Sequence, residues 1–239
     1  MHRFFVDPAD ISGQEAILRA EEAHHLRRVL RLAPGERVEL YDGRGGCFTA
    51  EIIRLDREVK LAVLGHEIRE PDRPRLAIGQ GLLKGQKMDV LVQKANELGV
   101  AAFLPFTSAH CAAGPPREMK RSRWEKIVRE SCKQCGRPIP LEIGEIDDFT
   151  ALLAGAGGEE EKIILWEKEE STRLADITPL NDTVSIIALI GPEGGFSPAE
   201  VDQARQAGFR PVSLGKRTLR AETATLTAMA ILQFLGGNL

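Results

Sequence analysis

Val184-Ser-Ile-Ile-Ala-Leu-Ile-Gly-Pro-Glu-Gly-Gly-Phe-Ser-Pro-Ala-Glu200 decides the fold of this chain, and Leu214-Gly-Lys-Arg-Thr-Leu-Arg-Ala-Glu-Thr-Ala224 repeats its logic. A β-branched and aliphatic run breaks at Gly191-Pro192-Glu193-Gly194-Gly195. Ser197, Pro198 and Glu200 then supply an N-cap, a first-turn proline and a capping-box acid. The spacing predicts a buried strand, a glycine-rich bend and a helix start. In the second run Val212 to Leu214 reads as a short strand, Gly215 breaks it, and a mostly apolar helix starts near Ala221. Two such strand ends in a parallel sheet make a crevice where a flat ligand meets bare backbone.

Upstream, the pattern predicts two domains. In residues 1–70, strands at Arg3 to Val6, Glu36 to Tyr41, Cys47 to Leu55 and Val59 to Leu64 alternate as in a small barrel, with Asp42-Gly43 as a turn. Ala20 to Leu32 interrupts them as a helix with Leu26, Val29 and Leu30 inward. Its other face carries His24, His25, Arg27, Arg28 and Arg31, which by charge alone reads as a solvated surface balanced by Glu21 and Glu22. Glu70-Pro-Asp-Arg-Pro-Arg75 is the boundary. From residue 74 to 239 the period alternates between strand and helix: a strand at Leu76 to Leu83, a helix on Met88, Leu91, Val92, Ala95 and Leu98, a strand at Ala101 to Phe106, and a helix from Glu118 with Trp124, Ile127, Val128 and Cys135 inward. A short helix over Asp147 to Ala156, a strand at Lys162 to Glu167 and a loop-like Lys168 to Thr183 follow. This order predicts a parallel sheet with crossover helices. Ala221 to Leu235 is apolar on several faces, so it belongs in the core or against a second subunit.

The formal charge of -3 confines any nucleic-acid contact to local basic patches. The start of the chain reads as no signal core, and no run approaches the roughly 20 apolar residues of a membrane span, so a cytoplasmic protein without membrane contact is expected. Of the four cysteines, Cys132 and Cys135 form one Cys-x-x-Cys at a helix end with no second pair to complete a zinc site. No metal is predicted. Gly79-Gln-Gly-Leu-Leu-Lys-Gly85 lacks both dinucleotide and Walker spacing and reads as a strand ending in a glycine turn.

Gly191-Pro-Glu-Gly-Gly-Phe-Ser197 followed by Leu214-Gly-x-Arg-x-Leu-Arg-x-Glu-Thr-Ala224 resembles the RsmE family of ribosomal RNA uridine methyltransferases, within the SPOUT superfamily. Lys84-Gly-Gln-Lys-Met-Asp89, Gln93-Lys-Ala-Asn-Glu-Leu-Gly99, Glu130-Ser-Cys-Lys-Gln-Cys-Gly-Arg137 and His25-Leu-Arg-Arg-Val-Leu-Arg31 extend the likeness over nearly the whole chain. The resemblance implies an α/β fold: a trefoil-knotted SPOUT domain after a PUA-like β-barrel domain. It implies an S-adenosylmethionine cradle of Leu165, Glu167, Ile190, Gly191, Glu193, Gly194, Gly195, Leu214, Gly215 and Leu219. Arg220 is assigned to steady a uracil anion as N3 is methylated, with Arg217 as helper, while Glu222 orients Arg220 or takes the proton. RNA contacts are expected at Arg3, His25, Arg27, Arg28, Arg31 and Lys84, although His25 alone reads equally as a packed residue. The implied substrate is small-subunit ribosomal RNA, in an assembled 30S particle, and the implied assembly is a homodimer. Another SPOUT activity on transfer RNA, or a non-catalytic RNA-binding assembly protein, remains open at this stage.

Overall fold

The computed structural model describes residues 1–111, 117–158, 161–177, 180 and 185–239, with side chains excluded at 117–120. Residues 178, 179 and 181–184 of the stretches read above lie outside the described residues.

The chain divides into two compact units, residues 1–71 with 129–140, and residues 72–128 with 141–239. The first holds β1 (His2–Phe5), β2 (Ile11–Ser12), β3 (Glu15–Leu18), β4 (Arg37–Tyr41), β5 (Gly46–Leu55) and β6 (Val59–Ile68) in the order β1-β4-β5-β6-β3-β2. Only β1 with β4 runs parallel. Alternation places Phe4, Leu18, Leu40, Ile52 and Leu61 in one core. Residues 129–140 join this unit because their chain carries its hydrogen bonds: Arg3 Nη1 donates to the carbonyls of Lys133 and Gln134 at 3.0 and 3.1 Å, and Arg69 donates to that of Gly136. A boundary signal in composition cannot reveal such a return of the chain.

The helix expected over residues 20–32 is two pieces, α1 (Ala20–His24) and a π-helical turn, His25–Leu30, closed by the Arg31 N–H donating to the Leu26 carbonyl. The wider turn moves the apolar positions off a single stripe. Leu26 is buried, Leu30 is half-buried, and Val29, expected inward, is 63% exposed.

The second unit is a seven-stranded, wholly parallel sheet: β7 (Arg75–Gly81), β8 (Ala102–Thr107), β9 (Glu142–Ile143), β10 (Asp147–Asp148), β11 (Glu161–Leu165), β12 (Ser185–Ile190) and β13 (Arg210–Val212). Its main order is β10-β8-β7-β12-β11-β13, with β9 also on β8. Crossover helices are α2 (Lys87–Glu97), α4 (Phe149–Gly155) and α5 (Pro198–Gln206), with α3 (Arg117–Cys135) running from this unit into the first. Strands this apolar are buried on both faces, as parallel sheets require.

Side chains depart from the expected pattern at three places. On α3 Trp124 and Val128 are buried, but Cys135 in the last turn is exposed while Cys132, three residues earlier, is fully buried. β13 ends at Val212 and β11 at Leu165, because the following residues turn away into the loops of the site. On α6 (Ala221–Leu235) Met229 and Leu232 are buried, Leu226, Ala230 and Leu235 are half-buried, and Phe234 is 68% exposed. Thr225 and Gln233 take buried places there because each has a partner: the Thr225 hydroxyl donates to Gln80 Oε1 at 2.5 Å, and Gln233 Nε2 donates to the Leu98 carbonyl at 2.6 Å.

Candidate active site

The loops after β11, β12 and β13 leave the same edge of the sheet and enclose a cavity of about 420 Å³. Every residue assigned to the cradle by resemblance lines it, from Leu165 and Glu167 through Ile190, Gly191, Glu193, Gly194 and Gly195 to Leu214, Gly215 and Leu219. Arg217, Arg220 and Glu222 line it too.

The bend is held rather than loose. Gly195 N–H donates to the Pro192 carbonyl at 2.9 Å, and Gly195 adopts φ +67°, where a side chain would be strained. His110 Nδ1 lies 3.0 Å from the Gly194 carbonyl and 3.2 Å from that of Gly195, so this nitrogen carries the proton. Behind the bend, the capping box of α5 is complete. Ser197 N–H and Oγ both donate to Glu200 Oε2 at 2.8 Å, while Glu200 Oε1 accepts the Ala109 N–H at 2.8 Å. Underneath, buried Gln80 donates through Nε2 to the carbonyls of Gly81 and Gly191, at 2.9 and 3.3 Å. The close approach of β7 to this bend needs Gly81, where an added Cβ would fall 2.7 Å from the Pro192 nitrogen and 3.0 Å from the Gly191 carbonyl carbon.

An ion cluster lies at the cavity wall. Lys87, first residue of α2, places Nζ 3.1 Å from Glu193 Oε1 and 3.2 Å from Glu222 Oε2. Glu193 Oε1 also accepts the Lys84 backbone N–H at 3.1 Å. Burial pushes the Glu193 carboxyl up, but the backbone donors and Lys87 outweigh it and hold the group below its ordinary range. Glu222 is held low first by its own backbone N–H at the start of α6, against some burial, with Lys87 and the charge of Arg220 assisting. The two carboxylates in turn raise Lys87, so the cluster is fully ionised at neutral pH.

Arg220 is the exposed N-cap residue of α6, with no side-chain cap bond. The partners a purely structural arginine would have taken, Glu193 and Glu222, belong to Lys87. Glu193 is thereby a partner of the Lys84 to Lys87 segment. Lys84 meets the site through its main chain and does not line the cavity. Sequence reasoning missed Trp166, Phe196, Ser213, Thr218 and above all Lys87 among the lining residues. A lysine opening a helix, where the macrodipole disfavours a cation, is the signal that could have found it.

The first unit carries a second, basic groove of about 700 Å³, lined by Arg19, His24, Arg27, Arg28, Arg54, Arg57 and Lys60 with Asp56 and Glu58. Arg19 pairs with Asp10 and Glu58, and Arg54 with Asp56. Of the residues expected to touch RNA, Arg27 and Arg28 line this groove. His25 is half-buried with its ring edge-on to Phe4 at 6.1 Å, the packed alternative. Arg31 closes the π-helical turn in the left-handed region at φ +56° and does not line the groove. Arg3 is committed to Glu39 at 2.9 Å and to the Lys133 and Gln134 carbonyls. Among the described residues no group of three His, Cys, Asp or Glu side chains could hold a metal ion.

The sequence that forms this glycine-floored cavity and the separate β-rich unit matches two family models. Residues 70–233 match an RNA methyltransferase domain and residues 18–63 an RNA methyltransferase PUA domain, which makes the chain an RNA methyltransferase. Ribosomal RNA small subunit methyltransferase E of Buchnera aphidicola (subsp. Schizaphis graminum) is 32% identical, over 95% of this chain and 93% of its own. The crystal structure of a protein of that name from Neisseria gonorrhoeae, bound to S-adenosyl methionine, superposes with a TM-score of 0.89 at 34% identity, covering 98% of each chain. A Legionella pneumophila methyltransferase structure in complex with the same cofactor gives 0.87 at 32% identity, covering 97% and 96%. The chain belongs to the ribosomal RNA small subunit methyltransferase E family.

The Gly81→Ala variant is expected to push the Gly191–Pro192 bend outward, costing about 1–3 kcal/mol of stability and weakening S-adenosylmethionine binding at least tenfold. Calorimetric titration checks the affinity, and an unchanged dissociation constant would mean that the bend does not depend on this contact.

Proposed function

We propose that the protein methylates N3 of a specific uridine in small-subunit (16S) ribosomal RNA. The observation that carries this reading is the convergence of the three strand-end loops on one cavity, with Arg220 exposed on its wall. The residues fit S-adenosylmethionine. The volume suits a nucleoside-sized ligand, Leu165, Ile190, Leu214 and Leu219 are apolar walls, and Gly191, Gly194, Gly195 and Gly215 leave main chain accessible. Because β11 lies between β12 and β13, we read the threading as the family's trefoil knot.

When bound, S-adenosylmethionine supplies a methyl group already activated on a sulfonium, so the chain's own residues have to orient the base and stabilise its charge. Uridine N3 bears a proton, and losing it puts negative charge on the flanking carbonyl oxygens. Arg220 donates to that charge, with Arg217 assisting from the same loop. Glu222, held ionised and engaged by Lys87, orients the cationic wall rather than taking the proton.

The basic groove of the first unit grips phosphates of structured RNA, since the side chains of Arg28, Arg57, Lys60 and His24 make no hydrogen bond or ion pair among the described residues. Ribosomal RNA as substrate sets the reaction in the cytoplasm, and we read the assembled 30S particle as the form acted upon. Exposed Phe234 with the half-buried Leu226 and Leu235 on α6 supports a homodimer.

Tritiated methyl transfer to small subunits from cells lacking the protein, followed by nucleoside analysis, is expected to yield N3-methyluridine. Arg220→Ala is expected to lower turnover by about 10²–10³ while cofactor affinity stays within a few fold; a methyl on ribose or on a purine would refute the assignment. Replacing Arg28, Arg57 and Lys60 with glutamine is expected to weaken RNA binding and flatten its salt dependence by about one unit of slope per lost contact, read from filter binding at several salt concentrations. Light scattering at micromolar concentration is expected to give twice the chain mass, and a monomer would remove α6 as a subunit interface.

A further inference from the structure

We infer that Lys87 is a second catalytic cation of this site, donating to a carbonyl oxygen of the target base while Arg220 serves the other. The inference rests on the uridine N3 reading and assigns to Lys87 a role the motifs did not indicate.

Lys87 is placed against the intrinsic preference of its position. It is the first residue of α2, where the macrodipole favours anions, and Asp89, the acid of that turn, is taken by Arg123 and Trp124 at 2.9 and 3.0 Å. The cation is held there by two carboxylates from other segments, Glu193 on the bend and Glu222 on α6. An ammonium has three N–H donors. One is directed to Glu193 Oε1, Glu222 Oε2 faces the ammonium at 3.2 Å as an ion pair without hydrogen-bond geometry, and among the described residues no further acceptor is recorded for it, although Lys87 lines the cavity. A cation fixed by two anchors with donors left is preorganised for charge that develops during reaction.

Glu193 and Glu222 face it, the Lys84 N–H donates to Glu193 and the charge of Arg220 acts on Glu222, so these two carboxylates and two cations sum to zero before the base arrives. Neither carboxylate is a good proton acceptor, since both are held below the ordinary carboxyl range. The proton on N3 therefore leaves to solvent water, the charge on the base being met by Lys87 and Arg220. The N3–carbon bond forms as the methyl–sulfur bond breaks, and the electron pair of that bond stays on sulfur. By stabilising the anion, Lys87 lowers the pH at which the bound base ionises.

Lys87→Met and Lys87→Arg test this by single-turnover methyl transfer to 30S subunits across pH 6 to 10, with calorimetry for S-adenosylmethionine. The expected result for Lys87→Met is a rate at neutral pH lower by about 10²–10³, a rate–pH limb displaced to higher pH, and cofactor affinity within about threefold of wild type. Lys87→Arg, which keeps the charge, is expected to recover at least tenfold of the lost rate. A Lys87→Met rate within threefold of wild type overturns the inference. So does a slow variant whose pH limb stays in place, which would make Lys87 only a strut between Glu193 and Glu222. Failure of the N3 reading is separable, because it appears in the wild-type product before any variant is compared.

Discussion

One buried amide sets the geometry on which the site depends. Gln80 is wholly inaccessible at the end of the central strand β7, among strands that are otherwise apolar. Its Nε2 spans the carbonyls of Gly81 and Gly191, and its Oε1 accepts from Thr225 on α6. An unpaired amide at this depth would cost several kcal/mol, in the range of about 2–7, so the bend after β12 and the first turns of α6 must both stay where the amide can reach them. The cavity lies between those two elements. Its shape follows from a hydrogen-bonding requirement in the core more than from the loops themselves.

Around that anchor the loops are tied at several points by interactions of different kinds. His110 binds the Gly194 and Gly195 carbonyls, Glu200 couples the start of α5 to Ala109, and Lys87 ties the bend to α6 through two carboxylates. Such bracing lets a glycine-rich segment act as a rigid surface. The glycines are needed for close approach, at Gly81 against Pro192 and at Gly191 against Gly195, and mobility is not what they contribute.

Much of this was legible in the sequence because local rules and global packing agree there. The run ending at Ile190 is a strand, Ser197 with Glu200 caps α5 as their spacing predicts, and the cradle residues implied by resemblance line one cavity. Legibility failed where a residue's position depends on chain that is distant in sequence. The return of residues 129–140 to the first unit rests on Arg3 and Arg69 reaching carbonyls more than sixty residues away. Val29 is exposed because a π-helical turn has no sequence period of its own, and Gln233 is buried because its partner is the Leu98 carbonyl. Arg3, read as an RNA contact, is used internally for the same reason.

Lys87 belongs to that second class, and it bears on how charge is distributed between the two units. The cavity between the strand-end loops has its cations Lys87, Arg217 and Arg220 matched in number by the carboxylates Glu167, Glu193 and Glu222, which leaves little net field around it. The groove of the first unit has the opposite balance: seven basic residues against Asp56 and Glu58. Arg19 and Arg54 are paired there with Asp10, Glu58 and Asp56, and the cations left over, Arg27, Arg28, Arg57 and Lys60, repel one another, a repulsion that a bound anion would relieve. Unmatched and matched cations thus lie in different units of a chain whose total charge is -3. A negative total is therefore compatible with one strongly basic face, because the cavity's own cations are matched by carboxylates and contribute no net charge.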